Sequence, residues 1–162
     1  MTSPDAPNSL VIARAVEADH ELLARLLQLN LYDFSDHAGY DVDERGEFHY
    51  AWLEEYWRAS DRHAFLIRVG GHPAGFALVR SGNPSRMAEF FVLRKHRRTG
   101  VGTQAARTIL EAFPGPWSIT QLATNTPATR FWRRAIPVHF DEVVHPDGHI
   151  EQTFTIAPPV RA

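Results

Sequence analysis

The stretch from Met87 to Arg107 constrains the fold most, because it leads from a strand through a basic loop into a helix. Its first part, MAEFFVL, is an apolar, aromatic-rich run that is typical of a buried strand. A helix is expected from about Gly100 to Phe113, where the breakers in PGPW end it. Between the two lie RKHRR and the glycines of TGVG. A strand, a loop and a helix in this order are typical of folds that mix helices with a sheet.

Hydrophobic periodicity and turn residues predict the remaining elements. Gly70 and Gly71 tolerate the positive φ of a tight hairpin turn, and the segment 33–47 is rich in Asp, Gly and aromatic residues, as loops often are. The resulting order, βα, α, ββ, βα, βα, ββ, predicts a mixed α/β sheet. The predicted strands are 10–16, the hairpin 63–80, 117–124 and the final hairpin 139–156, and the predicted helices are 18–31, 47–59 and 127–135.

The size of the chain indicates one domain. With 162 residues, of which 44% are hydrophobic, it is long enough for one buried core and short for two. We expect a single domain over 10–157 after a disordered lead-in over 1–9, which lacks the charged flank and apolar core of a secretory signal. Charge interrupts every apolar run before the length that a bilayer requires. The absence of cysteine excludes disulfides and thiolate chemistry and fits a cytoplasmic enzyme.

Charge is distributed unevenly along the chain. Residues 1–63 carry five arginines against thirteen acidic residues, a balance of -8, whereas residues 85–134 carry nine basic against two acidic residues, a balance of +7. One interpretation of the basic half, RKHRR with Arg130, Arg133 and Arg134, is a nucleic-acid surface. The pI near 6.5 and the acidic half disfavour nucleic acid as a partner.

The loop after the strand is suited to an anion. It must expose the first backbone N–H groups of the next helix, which have no partner inside that helix and lie at the positive end of its dipole. Gly100 and Gly102 leave room for a phosphate, and Arg97 and Arg98 add positive charge. The spacing differs from a P-loop, and G-V-G is too short for a dinucleotide-binding motif. A diphosphate is therefore the ligand that fits this loop best.

Two motifs carry a resemblance to a known family. The segment FFVLRKHRRTGVG, ending in Arg97-x-x-Gly100-x-Gly102, resembles the acetyl-CoA-binding motif of the GNAT superfamily of N-acetyltransferases. Downstream, NTPATRFWRR is similar to the Asn-x-x-Ala-x-x-Phe/Leu-Tyr segment of the same family, in the expected order and at about the expected distance. The predicted element order is compatible with this resemblance over nearly the whole chain.

The resemblance implies a fold, an activity and a co-substrate. The fold is a mixed, mostly antiparallel sheet of six to seven strands that splays between the fourth and fifth, flanked by about four helices. The activity is acetyl-CoA-dependent N-acetyl transfer to an amine, without a metal. The oxyanion contact is a backbone N–H of Phe90 or Phe91. The residues implied in binding acetyl-CoA are Phe90, Phe91, Val92, Arg97, Arg98, Thr99, Gly100, Val101, Gly102, Thr103, Asn125 and Phe131.

The reaction needs a general base for the amine and a proton for the thiolate, and the sequence offers a candidate for the base on the fourth strand. Glu89 is the only carboxylate of the fourth strand, and it is either a general base with a pKa raised by apolar neighbours or a glutamate paired with an arginine. The family's usual tyrosine is replaced by Trp132, whose indole N–H cannot usefully release a proton. A phenolic acid must therefore come from the region between Tyr32 and Tyr56, or water protonates the thiolate. A further base position of some relatives is Thr120 here, so that role does not transfer.

A cluster of aromatic and acidic residues marks the expected acceptor side. Aromatic and acidic residues near the end of the first helix suit a cationic amine, or they are core residues and a solvated acidic loop. The candidate substrate residues are Tyr32, Asp33, Phe34 and Asp36.

Two histidines, His145 and His149, flank a hairpin turn, but no cluster of further ligands supports a metal there. The acceptor is a small molecule or a peptide amine, a homodimer is compatible with the sequence, and the alternative function is a non-catalytic CoA-binding domain.

Overall fold

A seven-stranded sheet forms the centre of the computed structural model, which describes residues 8–160. The strands lie in the order β1-β2-β3-β4-β5-β7-β6, and only β4 and β5 among them pair in parallel. Of the predicted lead-in over 1–9, residues 1–7 lie outside the described part of the chain. The strands are β1 Leu10–Arg14, β2 Arg62–Val69, β3 His72–Arg80, β4 Ser85–Val92, β5 Gly115–Leu122, β6 Asp141–Val144 and β7 His149–Ile156.

Helices cover both faces of the sheet. They are α1 His20–Ala38, α2 Glu55–Arg58, α3 Val101–Glu111 and α4 Thr126–Ala135. Within residues 8–160, no helix has the length and apolarity to cross a membrane.

The first helix is longer than its leucine spacing predicts. The expectation that it ends near 31 and is followed by a loop from 33 is wrong, because α1 continues to Ala38. Gly39 ends the helix in the left-handed region, at φ 69°, and its N–H donates to the carbonyl of Ser35. A glycine in this conformation is the usual end of a helix, so the polar residues before it belong to the last turns of α1.

The predicted helix over 47–59 is also wrong, because only Glu55–Arg58 is helical. The side-chain amide of Gln28 on α1 binds the backbone of Phe48 twice: it donates to the carbonyl at 2.8 Å and accepts from the N–H at 2.8 Å. These bonds replace the hydrogen bonds that a helix would supply to this backbone. Phe48 and Tyr50 pack on the core under α1 from this non-helical segment.

Two apolar layers hold the helices to the sheet. On one face, the leucines of α1 pack on β3 and β4, and on the other, α3 and α4 pack on β5 and β7. Complete burial of one leucine or phenylalanine side chain stabilises a fold by about 1.5–3 kcal/mol, so these layers fix the positions of the helices. The α1 layer includes Leu23, Leu27, Leu31, Phe76, Leu78 and Phe91, and the other includes Ala106, Ile109, Leu110, Trp117, Ile119, Trp132 and Phe154.

The parallel strands β4 and β5 diverge along their length. They pair only at Ser85 with Trp117 and at Arg86 with Ser118, near their N-terminal ends. In β4, a bulge at Ala88 interrupts the register with β3 two residues further on. The predicted fold class is confirmed: a mixed, mostly antiparallel sheet of seven strands opens between the fourth and fifth and is flanked by four helices.

Candidate active site

The β5 side of β4 offers unpaired backbone groups beyond the point where the two strands separate. Leu93 N–H donates to the carbonyl of Ala74, next to β3. Backbone groups alternate in direction along a strand, so Phe91 N–H also faces β3 and Phe90 N–H faces the opening toward β5. Of the two predicted oxyanion contacts, Phe90 therefore has the suitable orientation.

The loop between β4 and α3 has an unusual backbone. A 3₁₀ turn over Arg94–His96 follows β4, and Arg98 then adopts φ 61°, the only positive φ of a non-glycine residue in the described chain. Gly100 adopts φ 88° at the N-cap of α3, and Thr99 between them donates its hydroxyl to the carbonyl of His96 at 2.6 Å. Left-handed residues next to a helix start gather backbone N–H groups into a concave anion-binding surface.

The first turn of α3 adds donors to this loop. The hydrogen bond from Gln104 N–H to the carbonyl of Gly100, at 3.0 Å, is the first of the helix. The N–H groups of Val101, Gly102 and Thr103 precede it and have no acceptor within the helix. With the positive end of the helix dipole, they make the loop suitable for a phosphate group.

The side chain of Arg97 connects the loop to β4 and to α1. Its guanidinium donates to the carbonyl of Val92 at 2.8 Å, lies 5.5 Å from the centre of the Phe91 ring and forms an ion pair with Asp33 on α1. Arg94 binds the same carboxylate at 2.7 Å. Although burial raises the pKa of Asp33, the hydrogen bonds from Arg97 and Arg94 hold it below its usual value. The Arg97 side chain, predicted to bind the cofactor, is thus engaged with Asp33, which was predicted on the acceptor side.

Gly102 fits closely against its neighbours, so a side chain there would affect packing as well as the access of a phosphate. A Cβ atom at this position would lie 3.1 Å from Cε2 of Phe131 and 3.7 Å from Val92. The Phe131 ring stacks on Phe90 with ring centres 5.3 Å apart. Asn125 begins α4 and accepts a hydrogen bond from Ala128 N–H at 3.2 Å. Of the predicted residues of the second motif, Phe131 therefore joins α4 to β4 and α3, whereas Asn125 caps α4.

Trp132 belongs to this aromatic cluster. It is 5% exposed and meets the rings of Phe90 and Phe131 edge to face, at 5.2 Å and 5.0 Å between ring centres. Such contacts contribute about 0.5–1.5 kcal/mol beyond burial. The residue that replaces the family's tyrosine thus packs as part of the core.

The Glu89 side chain lies on the face of the sheet that α1 covers, opposite the face on which Trp132 packs. Asn30 on α1 donates its side-chain N–H to Glu89 Oε2 at 2.8 Å, and the hydroxyl of Tyr50 also binds this carboxylate. Burial raises the pKa of Glu89 to about 7, although both hydrogen bonds lower it. A carboxylate with a pKa near neutrality suits a general base. No arginine binds Glu89 in residues 8–160, contrary to the paired-glutamate alternative.

Sequence reasoning missed the two residues that hold Glu89. Asn30 occupies a position of the leucine stripe of α1, with buried Leu23, Leu26 and Leu27 before it, and a buried amide in such a stripe is a detectable signal. Tyr50 lies within the mispredicted helix 47–59, and its burial and the negative charge of Glu89 raise its pKa.

The other predicted acceptor residues lie on the last turns of α1. Tyr32 is 66% exposed, and Asp36 is exposed as well. The ring centres of Phe34 and Tyr40 are 5.8 Å apart. Tyr32 lines an open pocket of about 460 Å³ between α1 and the following loop. Their part in acceptor binding stays a prediction. The pocket is also lined by Gln28, Leu29, Ser35, Asp41, Val42 and Phe48.

Residues 8–160 contain no group of three or more histidine and acidic side chains arranged to hold a metal ion. His145 binds Glu151 at 2.7 Å across the last hairpin, and His149 lies 3.1 Å from Asp147. The two histidines thus have separate acidic partners.

Solved structures share the fold of this chain. An acetyltransferase from Thermus thermophilus superposes with a TM-score of 0.71 at 18% identity, over 93% of this chain and 99% of that one. The ribosomal-protein-S18-alanine N-acetyltransferase from Escherichia coli gives 0.66 at 14% identity, over 94% and 97%. The aminoglycoside acetyltransferase AAC(6')-Ib in complex with coenzyme A gives 0.64 at 17% identity, over 91% and 95%. At these identities, the likeness shows the fold.

The sequence of the chain matches the model of a protein family. No curated protein sequence matches the chain. The model of the family described as "Acetyltransferase (GNAT) family" matches residues 24–136, a span that includes Glu89, the loop before α3 and all of α4. The chain therefore belongs to the GNAT family of acetyltransferases.

Proposed function

We propose that this protein transfers the acetyl group of acetyl-CoA to a primary amine, by direct transfer while both are bound. One observation carries the proposal: a buried carboxylate of pKa about 7 lies on β4 where this strand separates from β5, and a loop suited to an anion follows the same strand. The loop suits a diphosphate, and the carboxylate suits the removal of a proton from an amine near neutral pH.

The residues of the loop fit the co-substrate. The N–H groups of Arg98 to Thr103 would bind the pyrophosphate. The backbone groups of Phe90 and the N–H of Val92, which face the opening toward β5, would pair with the pantetheine as an added strand would, while the Val92 carbonyl is bound by Arg97. Bound acetyl-CoA supplies an acetyl group already activated as a thioester. Asn125, at the N-cap of α4, and Phe131, within α4, would border the pantetheine from the other side of the opening.

Glu89 would act as the base. Transfer forms a C–N bond and breaks a C–S bond, and one proton must leave the amine while the sulfur gains one. Glu89 accepts the proton from the amine, directly or through a water molecule, while Asn30 and Tyr50 hold its carboxylate in place. Because a thiol has a pKa of about 8.5, a proton held at a pKa of about 7 passes to the thiolate favourably. Trp132 is not needed as an acid in this scheme.

Phe90 N–H would stabilise the acyl oxygen. This oxygen gains negative charge during transfer, and a preorganised donor aimed at it typically contributes about 3 kcal/mol. The bulge at Ala88 lies two residues before Phe90, and bulges commonly change the direction of backbone groups near active sites.

Calorimetric titration with acetyl-CoA tests the loop. In Thr103→Glu, a carboxylate occupies the first turn of α3, where it repels a phosphate although acidic residues there usually stabilise a helix. We expect the affinity to fall at least tenfold, or about 1.4 kcal/mol. Thr108→Glu, an exposed position later in the same helix, is the matched control and should bind normally. Gly102 is less suitable, since any side chain there meets Phe131.

Release of free thiol from acetyl-CoA with a broad panel of amines tests turnover. Turnover that is lost in Thr103→Glu and kept in Thr108→Glu would support the proposal. Normal binding in Thr103→Glu would remove the loop as the phosphate site. Tight binding of acetyl-CoA without thiol release from any amine would instead favour a non-catalytic CoA-binding domain.

A further inference from the structure

Three arginines stand side by side across three neighbouring strands. In the sheet register, Arg62 of β2 pairs with Arg80 of β3, and Arg80 pairs with Arg86 of β4. Directly paired residues of neighbouring strands point to the same face of a sheet. The three side chains therefore form one row, here called the arginine row, which ends at Ser118 of β5, the partner of Arg86.

The arginine row is only partly neutralised by the protein. Like charges placed directly opposite each other destabilise a sheet. Asp61 lies 3.8 Å from Arg62 and 3.5 Å from Arg80, too far for good hydrogen bonds. Glu151, near Arg86, has one oxygen on the Ser118 hydroxyl at 2.6 Å and the other on His145 at 2.7 Å. Three permanent cations thus have two carboxylates nearby, of which Asp61 is loosely placed and Glu151, whose charge acts on Arg86, is already bound by other groups.

The arginine row lines a pocket of about 410 Å³, which is large enough for a small molecule. Two of its arginines are accessible, since the Arg80 side chain is 55% exposed and Arg86 is exposed. Arg62 is held between aromatic rings, 5.5 Å from the centre of Tyr56 and 6.0 Å from that of Trp52. Among the described residues that line this pocket, none is Asp or Glu. The others are Tyr50, Met87, Ala88, Ser118 and Thr120.

Glu89 does not line this pocket itself, but two of the lining residues adjoin it. Ala88 precedes Glu89 in β4, and Tyr50 both lines the pocket and binds the Glu89 carboxylate. The positive charge of Arg62 also acts on the Tyr50 hydroxyl. A molecule in the pocket can therefore contact the arginine row and approach Glu89 at the same time.

The phosphates of CoA do not account for the arginine row. The anion-binding loop follows the C-terminal end of β4, at Val92, whereas Arg86 lies near its N-terminal end. Six residues of extended strand span about 20 Å. The arginine row is thus separate from the positively charged loop before α3.

We infer that the acceptor carries a carboxylate on the same molecule as its amine, and that the arginine row binds this carboxylate while the amine faces Glu89. The inference rests on the proposed function and names its substrate class, a small amino acid or a similar amino carboxylate. Guanidinium groups bind carboxylates through paired charge-assisted hydrogen bonds, and burial beside aromatic rings strengthens them. The reaction remains acetyl transfer to nitrogen, and the carboxylate is not changed.

Matched acceptors test the inference. Free thiol release from acetyl-CoA is measured with L-amino acids, with their carboxamides and with the corresponding amines that lack the carboxyl group. We expect kcat/KM to be at least about tenfold higher for the acids, mainly through KM, which is the order that one hydrogen bond to a charged group contributes. In Arg86→Gln, the ratio of acid to amide should fall toward one. Arg25→Gln, an exposed arginine of α1, is the control and should keep the wild-type ratio.

A second measurement separates this inference from the proposed function. N-acetyl amino acids and their amides are compared as ligands by ligand-observed NMR, with wild-type protein and with Arg86→Gln. Binding of the acids that Arg86→Gln abolishes would support the arginine row as a carboxylate site even if no amine were acetylated. Equal turnover or binding of acids and amides, or a preference for polycations such as spermidine, would overturn the inference and leave the proposed acetyl transfer intact.

Discussion

Replacing Glu89 by Gln should make the protein more stable and less active, and both effects should depend on the raised pKa of Glu89 in the folded state. In the fold, burial raises the pKa of Glu89 from 4.5 to about 7. Since one pKa unit corresponds to about 1.36 kcal/mol, ionised Glu89 destabilises the folded state by about 3 kcal/mol. Gln has nearly the same shape and can still accept from Asn30, while the Tyr50 hydroxyl can turn to accept from its amide.

The way in which this stability difference changes with pH follows from the upward shift of the Glu89 pKa. A carboxyl whose pKa is higher in the folded than in the unfolded state contributes stability below pH 4.5, and this contribution is lost as the pH rises through about 7. Glu89→Gln should therefore be more stable than wild type at pH 8 by about 3 kcal/mol, and the difference should shrink toward pH 4.5. For a chain of this size, that corresponds to roughly 6–12 °C in Tm.

Urea unfolding of both proteins between about pH 4.5 and 8.5, without ligand, measures the effect. Glu111→Gln, which removes an exposed carboxylate of α3, is the control and should show no such pH-dependent gain. In wild type, kcat should rise with a midpoint near pH 7, and Glu89→Gln should lose most of its activity and this dependence. A stability difference that is the same at all pH values would refute the raised pKa, and an unchanged kcat profile would remove Glu89 as the base.

Two further substitutions test the surroundings of this site. Asn30→Ala removes a hydrogen bond that lowers the pKa of Glu89, so the midpoint of the kcat profile should move to higher pH with the plateau retained, and a lower plateau with the wild-type midpoint would contradict this role. Gly75→Ala should destabilise the protein by about 3 kcal/mol or more in urea unfolding, because its Cβ would lie 2.1 Å from the backbone oxygen of Phe91 in β4. Wild-type stability of Gly75→Ala would mean that β3 and β4 separate easily at this point.

Local sequence was sufficient where neighbours along the chain decide the structure. The strand, basic loop and helix from Met87 to Glu111 were predicted within a few residues, because hydrophobic period and glycine position determine each part locally. The helix predicted over 47–59 was wrong because a residue that is distant along the chain decides the structure there. Gln28, 20 residues away along the chain, binds its backbone at Phe48 and keeps it out of a helix.

The candidate site divides in the same way. Glu89 could be singled out from sequence as the only carboxylate of its strand, but its partners could not. Asn30 is 59 residues away, and the approach of α1 to β4 brings the two side chains to 2.8 Å. The value of the Glu89 pKa depends on this burial, which no local pattern shows.

The sequence by itself determined the fold class, the family and the loop before α3, since these follow from hydrophobic period and from motifs of adjacent residues. Only the tertiary structure decided which residues lie together in the candidate site and in the arginine row. Arg62, Arg80 and Arg86 are ordinary strand-end arginines in sequence, and they become neighbours through the register of β2, β3 and β4. Register arises from pairing between distant segments, and the strength of a charge depends on what surrounds it in space. Both are properties of the folded chain.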